Sequence, residues 1–146
     1  METPLADLPV HKPGRYLTFR VARQDFAIRA EPVRGILPLH EIAAMQIPHP
    51  WLCGFAALGG KNFPVVDLGA KFDLPHGSRG REPFIIVIEA RGRLVGFVAD
   101  RVSEVIDVRQ MDFRNNMVRG HGRPRKLLEP ERVLTDAEWP SPWLRS

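Results

Sequence analysis

The chain has 146 residues, 44% hydrophobic and 26% charged, with a formal net charge of +4, the balance of a globular domain rather than of a disordered chain. A single cysteine excludes an internal disulfide, and no apolar run approaches the length of a bilayer span. The 14 prolines and 12 glycines suit short strands joined by many turns better than a helix bundle.

Residues 1–14, METPLADLPVHKPG, read as a flexible arm: with three prolines and no apolar core, this stretch is not expected to be a secretory signal. With no sign of an oxidising compartment, a cytoplasmic location is expected. Tyr16-Leu-Thr-Phe-Arg-Val21 alternates, with Leu17, Phe19 and Val21 on one face and Tyr16, Thr18 and Arg20 on the other, which predicts a half-buried strand. A polar turn at Arg23-Gln24-Asp25 and a second strand from Phe26 make a hairpin. After Pro32, a new apolar stretch holds Val33, Ile36, Leu37 and Leu39, and Pro38, Pro48 and Pro50 forbid a long helix.

Trp51–Leu58 is apolar and ends in the turn Gly59-Gly60-Lys61-Asn62; Phe63-Pro-Val-Val-Asp67 is a short strand with Asp67 placed to cap a helical turn over Leu68–Phe72. The polar stretch 75–83 divides the chain near its middle. Phe84-Ile-Ile-Val-Ile-Glu89 is continuous in apolar, β-branched residues, which predicts a strand buried on both faces. Arg91-Gly92-Arg93 turns the chain into Leu94–Ala99, and Val102, Val105, Ile106 and Val108 follow, with Val102 and Val105 assigned to the core. The chain reads as irregular from Gln110 to an amphipathic piece at Lys126–Leu134, and Trp139 and Trp143 are expected to pack over a groove.

The halves resemble each other. Leu17, Phe19 and Phe26 match Ile85, Val87 and Leu94 at a separation of 68, and Val33, Ile36 and Leu37 match Val102, Val105 and Ile106 at 69. This predicts a duplicated β unit.

Cys53-Gly-Phe-Ala-Ala-Leu-Gly-Gly60 with Phe63-Pro-Val-Val-Asp-Leu68, and Arg93-Leu-Val-Gly-Phe-Val-Ala-Asp100 with Val102-Ser-Glu-Val105, resemble the signature stretches of CheW-like domains over about residues 15–136. The resemblance implies an all-β fold of two small five-stranded SH3-like barrels sharing a core, with short helical turns: a first barrel at about 15–80, a second at about 81–136, and a tail at 137–146. It implies a non-catalytic adaptor without cofactor, coupling the regulatory domain of a CheA-type histidine kinase to a receptor's cytoplasmic tip. By family position, the protein-binding residues are Val33, Gly35, Gly54, Ala57 and Gly59. The chain departs from the pattern where the family usually has Asn-Leu-Arg-Gly: Ala57 and Gly59 replace the Asn and Arg, and Gly35 replaces an acid. In the family, that Arg and acid can pair beside the receptor groove. Losing both strands no charge, so the expectation is a retained scaffold with altered receptor contact.

Other chemistry is poorly supported. His49 and Cys53 alone make no metal site, and Cys53 reads as a small buried hydrophobe. His11, His40, His76 and His121 are scattered and read as solvated. Gly59-Gly60-Lys61 lacks the spacing of a phosphate loop. Asp67 and Asp100 follow strands at cap-like positions rather than forming an acid pair. Arg109–Lys126 contains six cations and the single acid Asp112, and reads first as a solvated Arg-rich loop and second as a basic docking surface for an acidic protein. The rival reading of the whole chain is a basic nucleic-acid-binding barrel, which its size, strand content and charge permit. The Arg109–Lys126 segment contains only Phe113 for stacking, which disfavours nucleic acid.

Overall fold

In a computed structural model that describes residues 12–44, 49–74, 83–120 and 123–133, the chain forms twelve strands and two single-turn helices. The strands are β1 (Gly14–Val21), β2 (Gln24–Arg29), β3 (Val33–Pro38), β4 (Ala43–Ala44), β5 (Leu52–Leu58), β6 (Lys61–Val66), β7 (Phe84–Ala90), β8 (Arg93–Ala99), β9 (Arg101–Val108), β10 (Phe113–Arg114), β11 (Met117–Gly120) and β12 (Arg123–Leu127). Helix α1 (Leu68–Lys71) follows β6, with the Asp67 carboxylate accepting from Ala70 N as expected, and α2 (Pro130–Val133) follows β12. His11, His76, His121, Trp139, Trp143 and the tail lie outside the described residues.

The strands make two sheets, β10-β11-β12-β2-β1-β9 and β4-β5-β6-β8-β7-β3. Each has five longer strands and one of two residues, and each curls: β9 approaches β11 in the first, and Gly35 of β3 meets Leu58 of β5 in the second. The fold is all-β, as expected.

The two sheets are copies of one another with an exchange. Leu17 pairs with Ile28 in the first hairpin as Ile86 pairs with Phe97 in the second, a separation of 69 residues. At the same separation, Leu17 pairs with Val105 of β9 and Ile86 with Ile36 of β3. Each sheet thus combines the hairpin of one half with the last four strands of the other. The boundary expected near residue 80 divides the halves but not the sheets. The hairpins also align at 69, not 68, so Leu17 corresponds to Ile86 rather than Ile85.

That one-residue difference decides which core each side chain enters, because successive strand residues face opposite ways. Leu17, Phe19, Phe26 and Ile28 pack against Ile86, Ile88, Val95 and Phe97 between the barrels. Phe19 and Phe26 stack there at 5.5 Å. Tyr16, Ala27, Ile106, Val108 and Val118 fill the first barrel; Ala56, Phe63, Val65, Ile85, Val87 and Val98 fill the second. Strand β7 is buried on both faces, as its continuous apolar run predicts.

Four local expectations are corrected. Strand β1 is not half-buried: Tyr16 and Thr18 are fully enclosed. Their polar ends are satisfied, since Tyr16 Oη donates to Lys12 O at 2.7 Å, while Thr18 Oγ1 donates to Glu104 O and accepts from Glu104 N. The latter two bonds mend the β1–β9 ladder where its register shifts. The first turn is Ala22-Arg23, both at positive φ, with Asp100 accepting from Ala22 N at 2.8 Å. Residues 113–120 and 123–127 are not irregular but supply β10–β12, and the Arg123–Leu127 segment is a full last strand, paired to β11 and β2. Val105, expected in the core, is 53% exposed on the edge strand β9, as its counterpart Ile36 is 43% exposed on β3.

Candidate protein-binding surface

The family positions do not form one cluster. Strand β5 alternates, so Gly54, Ala56 and Leu58 turn toward the second barrel's interior while Phe55 and Ala57 turn outward. Leu58 packs against that interior, and its δ carbons reach the bare Cα of Gly35 across the seam between β3 and β5. Gly59 and Gly60 close the β5–β6 hairpin at φ +58° and +80°, the left-handed pair that a two-residue turn requires. Gly35, Ala57 and Gly59 therefore come together at one end of the barrel. Gly54 is buried at a register shift in β5, and Val33 packs toward the inter-barrel core.

With glycine at positions 35 and 59, the side chains of the family's usual ion pair are missing from the seam. Its counterpart does keep an acid: position 35 corresponds, at the separation of 69, to Glu104 on β9. The first barrel retains a side chain at this bulge and the second has dispensed with it.

Between the barrels, beside Val33, lies a cleft of about 320 Å³ lined by Tyr16, Arg29, Glu31, Arg34, Glu89 and Leu128 among others. Arg29 pairs with Glu31 at 2.7 Å and Arg34 with Glu89 at 2.5 Å, while Arg34 also donates to Glu31 O. These pairs form a rim of alternating charge around the opening. Burial raises the Tyr16 phenol above its ordinary pKa, opposed by Arg29 and helped by Glu129, so the hydroxyl is a neutral donor at physiological pH. Sequence reasoning missed Arg29, Arg34 and Glu89 because nothing local tells that β3 and β7 are neighbours.

Among the described residues no group of three or more His, Cys, Asp or Glu could hold a metal ion. His49 Nδ1 instead accepts the backbone N–H groups of Trp51 and Leu52, both at 3.2 Å, as a loop cap. Cys53 is half-buried against the second barrel's core rather than fully enclosed. Asp100 accepts from Ala22 N and ties down the first hairpin, and Asp67 caps α1. Among the described residues no helix is long and apolar enough to cross a membrane.

Comparisons with known proteins agree with this arrangement. The family model described as CheW-like domain matches residues 15–136. The chain is similar to the "Chemotaxis protein CheW" of Bacillus subtilis (strain 168), 28% identical over 101 residues, covering 69% of this chain and 65% of that one. It is also similar to the "Probable chemotaxis protein CheW" of Rhizobium etli, 28% identical over 92 residues, covering 63% and 59%. The chain thus spans just under two thirds of these relatives' length. The crystal structure of the scaffolding protein TtCheW from Thermoanaerobacter tengcongensis shares the fold, with a TM-score of 0.75 at 18% identity over 92% of this chain and 94% of that one.

Proposed function

The chain belongs to the CheW-like domain family, and from that premise we propose that it is a non-catalytic adaptor of chemotaxis-type signalling, which couples the regulatory domain of a CheA-type histidine kinase to a receptor's cytoplasmic tip. The observation that carries this reading is the seam where Gly35 meets Leu58 beside Ala57 and Gly59, a surface of backbone and small side chains suited to contact. The edge strands β3 and β9, which among the described residues pair with a strand on one side only, bear the exposed apolar side chains Ile36 and Val105, of the kind that protein partners use. The charged rim of the inter-barrel cleft sets register and encounter rate rather than affinity.

Because Ala57, Gly59 and Gly35 lack the family's usual pair, receptor contact here relies on shape and apolar burial instead of a salt bridge. A cytoplasmic location accompanies this role. Sedimentation of the kinase with receptor-tip assemblies, with and without this chain, tests the proposal. The kinase is expected to co-sediment only when the chain is present; equal co-sedimentation in its absence would remove the coupling role.

The rival nucleic-acid reading lacks its stacking platform. On β10–β12 the only aromatic, Phe113, points into the first barrel, edge-on to Tyr16 at 5.9 Å.

A further inference from the structure

The exchange symmetry lets the two barrels be compared face by face, and their outer surfaces have diverged. In the first barrel Arg114 pairs across β10–β11 with Met117, and Met117 pairs across β11–β12 with Lys126. Val118 and Arg125, the alternate pair, are buried, so Arg114, Met117, Lys126 and also Arg119 share the outer face. The equivalent strands of the second barrel put Ala43, Phe55, Ala57 and a buried Pro64 at those places. One copy of the surface is uncharged; the other carries three cations around a methionine.

These cations are available. Arg114, Arg119 and Lys126 are exposed, and among the described residues none of them is in an ion pair. Arg109 and Arg123, by contrast, are tied to Asp112 and Asp25. Lys126 lies 5.8 Å from the ring of Phe72, which is part-exposed and helps line a hollow of about 190 Å³ with Asn116, Leu127, Glu129 and Val133. Met111 stands 73% exposed at the other end, ahead of β10.

We propose that this face of β10–β12 docks an acidic amphipathic helix of a partner protein. The row Arg114–Met117–Lys126 crosses two strand spacings, about 10 Å. Acids at i and i+7 of a helix are about 10.5 Å apart, with an apolar residue at i+3 or i+4 between them. The cation–methionine–cation row is the complement of that acid–apolar–acid pattern. A phosphate backbone gains nothing from Met117, whereas an adaptable thioether suits an apolar side chain. Arg119, one pleat along β11 from Met117, adds a third contact. The surface is distinct from the Gly35–Leu58 seam, and the proposal stands or falls independently of the coupling role.

The test uses the isotopically labelled full chain and a synthetic helical peptide with Glu at i and i+7 and Leu at i+3 and i+4, followed by amide NMR shifts. Shifts are expected to cluster on Met111, Arg114, Met117, Arg119 and Lys126. The triple variant R114E/R119E/K126E should weaken binding at least tenfold without loss of folding, because all three side chains are exposed, and M117S should weaken it severalfold with every charge intact. Shifts on the second barrel, or equal binding by a scrambled peptide of the same composition, would overturn the proposal. So would tighter binding by a mixed single-stranded oligonucleotide or by phosphatidylserine vesicles.

Discussion

Gly35 on β3 lies directly beneath Leu58 on β5: a methyl group added at Gly35 would come to 3.4 Å from Leu58 Cδ2, an ordinary contact. The missing side chain is therefore not enforced by crowding, and the sister position holds Glu104.

Gly35→Glu should accordingly fold with a stability change under about 1 kcal/mol. Gly59→Arg should cost about 1 kcal/mol more, because Gly59 sits at φ +58° although its surroundings are open. Together they rebuild the family's usual pair, and a double-mutant cycle should show about 0.2–1 kcal/mol of favourable coupling, the range of exposed ion pairs. The double variant is expected to co-sediment more strongly with ordinary chemoreceptor tips than the parent. Unchanged co-sedimentation would mean that the pair's absence does not set receptor choice.

Gly96 answers oppositely. A Cβ there would stand 2.5 Å from Ile85 Cγ2 and 3.0 Å from the Phe63 ring, inside the second barrel. Gly96→Ala should destabilise by about 2–3 kcal/mol by overpacking, read as a lower urea midpoint. The sister position is Ala27, fully buried and accommodated, so the penalty reflects the neighbours and not the strand.

The hairpin turn Ala22-Arg23 places two non-glycine residues at φ +48° and +70°, where the sister turn has Arg91-Gly92. Replacing Ala22-Arg23 with Asn-Gly should stabilise the protein by about 1 kcal/mol, with the Asp100 bond to the residue 22 amide retained. Thermal unfolding at matched concentration measures it; a lower midpoint would show that the turn is not strained.

Asp25 joins Arg20 at 3.1 Å and Arg123 at 3.3 Å, linking β1, β2 and β12. Burial draws its carboxyl upward, but the Arg20 hydrogen bond and charge, with help from Arg123, prevail and hold it below the usual aspartate range. A carboxyl depressed in the folded state stabilises above its unfolded pKa, near 3.9, and loses that contribution as pH falls through the folded value. Asp25→Asn should therefore cost about 1 kcal/mol at neutral pH, and the difference from the parent should shrink below about pH 4. Urea titrations across that window check the sign; a difference that grows on acidification would refute it.

The fold was legible where local pattern suffices. Continuous β-branched residues identified β7, and Asp67 announced its cap. Partner choice was not legible, because alternation in β3 or β9 says nothing about which hairpin it joins, and the exchange of strands between halves stayed hidden. Tyr16 and Thr18 imitated a solvent face, but their hydroxyls donate to the backbone oxygens of Lys12 and Glu104, which lets both side chains be buried. The repeat was visible, but matching Leu17 to Ile85 slipped it by one residue and so equated two different cores. In the candidate site, the family positions of Gly35, Ala57 and Gly59 were readable, while the charged rim of Arg29, Arg34 and Glu89 depends on long-range pairing alone. The basic segment looked like a loop because Arg125 and Pro124 disguise a strand whose alternate residues enter the barrel.

The adaptor reading is tested most directly by isothermal titration of the purified chain with the regulatory domain of the CheA-type kinase from the same organism. Saturable one-to-one binding with a Kd on the order of micromolar or tighter is expected. A folded chain that gives no binding to that domain would contradict it.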